Sequence, residues 1–128
     1  DAFNLVMASF RMPKSSDDEK ALRREKIRQA TLHAAEVPYK TACLSLDLIK
    51  LLDDLATYGN ANAASDVGVA GLLASAACKG ALFNIDINLN SLPSEYGQSI
   101  RESCPKILEE CSMSARKIMQ SVKKRIAE

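Results

Sequence analysis

Asn84 and Asn88, with Asp86 between them, stand one helical turn apart in the most apolar stretch of this 128-residue chain. A polar group buried without a hydrogen bond costs about 1–3 kcal/mol, so three of them in one apolar segment predict a satisfied internal network or a ligand that completes one. Upstream lies the turn-rich run Gly59-Asn60-Ala61-Asn62-Ala63-Ala64-Ser65-Asp66. On a continuous helix Asp66 precedes Asn84 by eighteen residues, five full turns, which sets Asp66, Asn84 and Asn88 on one stripe. Such a stripe is a candidate lining for a ligand pocket. The plainer alternative makes Asp66 an N-cap and lets the two amides bond backbone carbonyls of neighbouring helices.

Arg11 and Lys14 flank Pro13 in a short loop, where the pair could grip a carboxylate-rich ligand or stand as two solvated cations. The basic run over residues 20–28 reads as a solvated helix face, because Glu25 interrupts it and no aromatics interleave for base stacking. His33 has no nucleophile pattern around it, and the glycines follow neither dinucleotide- nor phosphate-binding spacing. Four cysteines without a C-x-x-C pair, and a single histidine, predict no metal centre and suit a reducing, cytoplasmic setting. A net charge of +1 gives no electrostatic reason to expect nucleic acid or a membrane surface. No signal peptide or long uninterrupted apolar span stands out. The expected partner is small or a protein.

The elements that must position these groups are helical. Phe3, Val6, Met7 and Phe10 make one apolar stripe on a helix that stops before Pro13 and reads as the end of a longer one. Ser16 and Glu19 form a capping box that opens a second helix, to about Glu36. Pro38 fits the first turn of a third, carrying Leu44, Leu48, Leu51 and Leu55 until Gly59 ends it. Ser65 or Asp66 caps a fourth. Over residues 67–89 apolar residues appear all round, and Gly68, Gly71, Ala74 and Gly80 allow close backbone approach, as expected of a helix enclosed by others; only its end, where Phe83, Ile85, Ile87 and Leu89 alternate, also reads as strand. After Pro93 and Gly97, a last helix repeats Ile100, Cys104, Ile107, Cys111, Ala115, Ile118 and Val122, with Pro105 kinking it or marking its first turn. The expected fold is all-α, a single-domain antiparallel helical bundle with a central buried helix.

Three blocks in this order, residues 3–14 (F-N-L-V-M-A-S-F-R-M-P-K), 59–66 (G-N-A-N-A-A-S-D) and 80–89 (G-A-L-F-N-I-D-I-N-L), with Glu36-Val37-Pro38 between them, resemble the formiminotetrahydrofolate cyclodeaminase and methenyltetrahydrofolate cyclohydrolase family. The resemblance implies an all-helical, homodimeric folate enzyme with no cofactor beyond its tetrahydrofolate substrate. Its reaction is hydrolysis of 5,10-methenyltetrahydrofolate to the 10-formyl form, or cyclisation of 5-formiminotetrahydrofolate with release of ammonia. It also implies Arg11 and Lys14 toward the glutamate or pterin side, Asn60, Ser65, Asn84 and Asn88 as substrate-binding groups, and Asp66 as the catalytic acid. In the family a proton-donating Asp lies about one turn before the Phe that matches Phe3; Asp1 neighbours that position without matching it. Upstream helices of the family domain have no counterpart in these residues, so the chain looks like the C-terminal two-thirds of that domain. The competing reading from another class is a helical interaction module that binds a partner without catalysis.

Overall fold

The computed structural model describes residues 1–127 and consists of four α-helices: α1 (Ala2–Phe10), α2 (Asp17–Tyr58), α3 (Ala64–Asn90) and α4 (Gln98–Ile126), with a 3₁₀ turn (Ala61–Ala63) leading into α3. The predicted capping box opens α2: the Ser16 hydroxyl accepts from the Glu19 N–H at 3.1 Å, and the Glu19 carboxylate accepts from the Ser16 N–H at 3.2 Å. The boundary expected near Glu36 does not exist. Pro38 rides inside one continuous 42-residue helix. An interior proline costs a helix about 3 kcal/mol. Here burial overrides that preference, because Ala35, Ala42 and Ile49 on either side of Pro38 are fully buried in one core.

Neither Ser65 nor Asp66 caps α3, which begins at Ala64 with Ala63 at its N-cap; Asp66 sits in the first turn instead. The cap chemistry of this region belongs to Asn60, whose side chain accepts from the Asn62 N–H at 3.0 Å and starts the 3₁₀ turn. Residues 81–89 are helical throughout. Along α3, Ala74, Cys78, Ala81, Leu82, Ile85 and Leu89 are buried against α2 and α4. Two of its glycines serve that packing: a Cβ on Gly68 would lie 3.1 Å from Val122, and one on Gly71 3.0 Å from Ile118.

The expectation that α3 is enclosed on all sides is corrected. Its opposite side, carrying Val69, Leu73, Phe83 and Ile87, is exposed, and on α2 Leu44, Leu48, Leu51 and Leu55 are exposed as well. A helix with two long neighbours is covered over only part of its circumference, so apolar residues all round it leave a bare apolar face of unusual breadth. By length and composition alone the helical stretch over residues 61–90 is also apolar enough to cross a membrane, a span the scattered glycines and asparagines hide from a direct reading.

α4 seats Ile100, Ile107, Cys111, Ile118 and Val122 in the core, with Pro105 again inside a continuous helix. Two arginines of α4 tie off its neighbours. Arg101 donates to the carbonyl of Leu89 in the last turn of α3 and to those of Leu92 and Tyr96 beyond it, and Arg125 to those of Thr57 and Gly59 at the end of α2. Burial, followed by the hydrogen bond with Cys111, pushes the Cys78 thiol up to about 12, so this thiol stays protonated and inert. Gly97 caps α4 with φ of 68°, and a Cβ there would meet Leu89 at 2.9 Å and Leu32 at 3.1 Å. Gly97→Ala is therefore expected to destabilise the fold by about 2 kcal/mol, the left-handed penalty and the overpacking adding together, read as a lower urea midpoint at unchanged m.

Candidate functional site

A groove of about 1000 Å³ runs between α1 and α3 over a floor formed by α2. α1 contributes Phe3 and Val6, α2 contributes Ala34, Val37, Pro38 and Thr41, and α3 contributes Ala77, Gly80, Ala81, Asn84 and Asn88. The amides are the main polar groups of this otherwise apolar wall. They are not buried, as the sequence reading supposed: Asn84 is exposed and Asn88 half-buried. Nor do they bond neighbouring helices. The Asn84 side chain donates to the Gly80 carbonyl at 3.2 Å, and that of Asn88 to the Asn84 carbonyl at 2.9 Å. The reason is their position on α3, on the flank turned away from α4. With each Nδ2 drawn to the helix backbone, the carbamoyl oxygens are left to accept from whatever fills the groove.

At the Val6 and Asn88 end this groove passes into a second of about 760 Å³. Lys14, Lys20, Arg23, Arg24 and Arg28 line it over the apolar side chains of Phe10, Ile27 and Ile87, with no carboxylate among them. Reading residues 20–28 as a solvated face missed this. The signal was present in the spacing, since residues 20, 24, 27, 28 and 31 fall on one side of a helix. Arg23 donates to the Phe10 carbonyl at 3.0 Å and lies 5.5 Å over the Phe10 ring; Arg28 stacks at 5.7 Å over Tyr96; Lys20 pairs with Asp17 at 3.2 Å. Lys14 and Arg24 are left without an acid partner among the described residues. Of the predicted cationic pair, Lys14 reaches the groove, whereas Arg11 is the exposed C-cap of α1 and lines neither cavity.

The remaining predicted residues lie elsewhere. Asn60, Ser65 and Asp66 are exposed around the start of α3, and eighteen residues at 1.5 Å each separate Asp66 from Asn84 by about 27 Å. They share the expected face of one continuous helix but occupy its opposite ends. Within one chain the carboxylate lining the amide groove is that of Asp1, which accepts from the Asn4 side chain at 3.2 Å. Among the described residues no three His, Cys, Asp or Glu side chains cluster as metal ligands.

Comparison with known proteins matches the formiminotransferase-cyclodeaminase family to residues 1–106. A methenyltetrahydrofolate cyclohydrolase of Methylorubrum extorquens is 32% identical over 127 residues, 98% of this chain and 61% of that protein. The formimidoyltransferase-cyclodeaminase of Gallus gallus is 31% identical over 127 residues, 98% of this chain and 24% of the relative, and that of Rattus norvegicus 27% over 125 residues, 97% and 23%. The chain thus spans less than two-thirds of the length of each of these relatives.

Proposed function

Because this chain belongs to the formiminotransferase-cyclodeaminase family, we propose that it forms the folate-holding part of a one-carbon enzyme that hydrolyses 5,10-methenyltetrahydrofolate or cyclises 5-formiminotetrahydrofolate. The observation that carries the reading is the joined pair of grooves. A flat polar ring fits between the α1 and α3 walls under the Asn84 and Asn88 carbamoyl oxygens, and a carboxylate-bearing tail continues into the basic groove beside Lys14 and Arg24. Both reactions are carbon–nitrogen chemistry at the bridge of the folate. In the hydrolysis, water adds to the cationic methenyl carbon, loses a proton, and the ring opens to the formyl product. In the cyclisation, a folate nitrogen attacks the formimino carbon and ammonia leaves after protonation. Either route needs a carboxyl group to carry the proton while the amides fix the ring.

The acid comes across a homodimer in this proposal. The bare faces of α2 and α3 call for a cover, and a second copy related by a two-fold axis would supply it. An axis crossing α3 near Ala76, midway between Asp66 and Asp86, runs the partner's helix antiparallel and sets Asp66 of the partner subunit beside Asn84 and Asn88. Ala76, Ala77 and Gly80 lie at that crossing and permit close approach of the two backbones. The free thiols suit a reducing, cytoplasmic setting. The full-length protein is to be assayed for loss of methenyltetrahydrofolate absorbance and for ammonia release from formiminotetrahydrofolate, with folate binding followed alongside. Turnover of one substrate is expected; no turnover of either and no folate binding would leave the interaction-module reading in its place.

A further inference from the structure

Proline is the one residue that takes a hydrogen bond away from a helix and leaves an acceptor behind. Pro38 has no N–H, so the carbonyl of Ala34, four residues earlier in the same continuous helix, lacks its helical donor. In a helix that carbonyl lies on the surface bounded by residues 34, 37, 38 and 41. All four, Ala34, Val37, Pro38 and Thr41, line the amide groove. The hydroxyl of Thr41, in the same lining, is committed to the Val37 carbonyl at 3.3 Å. The opposite wall is correspondingly open at Gly80, where a Cβ would meet nothing within 4 Å, unlike at Gly68 and Gly71, which pack against α4. A glycine that no packing requires, in the interior of a helix it weakens, leaves clearance at the groove.

We infer that Pro38 is a positioning residue: it frees the Ala34 carbonyl as a fixed acceptor for the N–H edge of the ring bound in this groove. The inference rests on the folate reading and assigns an orientation to it. Both walls offer acceptors, namely the Ala34 carbonyl on α2 and the carbamoyl oxygens of Asn84 and Asn88 on α3, where one N–H of each amide is already given to the helix. Such a site selects a ring edge that presents donors. The reduced pterin presents two adjacent donors on one edge, the 2-amino group and N3–H, whereas the bridge nitrogens of the methenyl form carry no hydrogen, so the donor edge turns toward Pro38 and the bridge turns away from it.

Any residue other than proline at position 38 restores an N–H that withdraws the acceptor into the helix. The test uses Pro38→Ala and Pro38→Val, the second keeping bulk on the wall, with tetrahydrofolate and its 2-desamino analogue as titrants and thermal unfolding as the control on folding. Both variants are expected to melt above the wild type, since the helix gains a bond, and to bind tetrahydrofolate about 10-fold more weakly, the worth of one hydrogen bond. Their affinity for the 2-desamino analogue is expected to equal that of the wild type. Unchanged tetrahydrofolate binding in both variants overturns the inference, as does equal weakening toward both titrants or a loss confined to Pro38→Ala, which would assign Pro38 to wall contact alone. Wild-type protein that binds neither titrant overturns the folate reading and the inference together.

Discussion

Asn88→Leu is expected to lower kcat/KM for the folate substrate by about 100-fold or more while leaving the fold intact, the scale on which a lost orienting contact misplaces reacting atoms. Asn88 lines both grooves, so it stands where the ring would pass into its tail. Its one hydrogen bond runs to the Asn84 carbonyl of its own helix, and its side chain is half-buried at the mouth of the grooves. Leucine has a similar size, favours the helix more than asparagine and leaves no acceptor without water, so the stability change should stay within about 0.5 kcal/mol. Circular dichroism and a urea midpoint read the fold, and initial rates read the chemistry. A variant that unfolds makes the amide structural. A variant that folds and turns over normally removes the groove from the reaction.

Where the sequence could be read, the signal was local. The capping box of Ser16 and Glu19 depends on residues three apart, and the structure contains it in both directions. The stripe of Ile100, Cys104, Ile107, Cys111, Ala115, Ile118 and Val122 needs only one helical period, and five of the seven are buried, Cys104 and Ala115 being half-buried. What failed depended on partners far along the chain. Pro38 looked like a helix start because the preference of a proline is local, whereas the burial that carries α2 through it comes from α3 and α4. Asn84 and Asn88 looked buried because their sequence neighbours are apolar, yet two of the four that flank them, Phe83 and Ile87, face outward. The cations over residues 20–28 looked solvated because α1, which closes their groove through Val6 and Phe10, is joined to them only by the fold. The shared stripe of Asp66, Asn84 and Asn88 was legible, and so was its length; the conclusion that one chain cannot gather them required the continuous helix.

That length makes a two-subunit site testable by complementation. Asp66→Asn and Asn88→Leu are each expected to be inactive alone, for different reasons: the first removes the proton carrier, the second the orienting amide. Asp66 is exposed in the first turn of α3, so its amide replacement should lose no more than the dipole interaction, about 0.3–1 kcal/mol, and still fold. Mixed in equal amounts under conditions of subunit exchange, half of the dimers carry one copy of each variant. In such a dimer one site pairs a native Asp66 with a native Asn88, and the other pairs both changed residues. Activity should therefore return to about a quarter of the wild-type value, since one of two sites works in half of the dimers. Full exchange, verified by a mass label on one copy, with no recovery of activity would confine the site to a single chain. The acid would then have to be sought at the α1 end of the amide groove, where Asp1 lies, because about 27 Å of rigid helix separates Asp66 from the amides of its own chain.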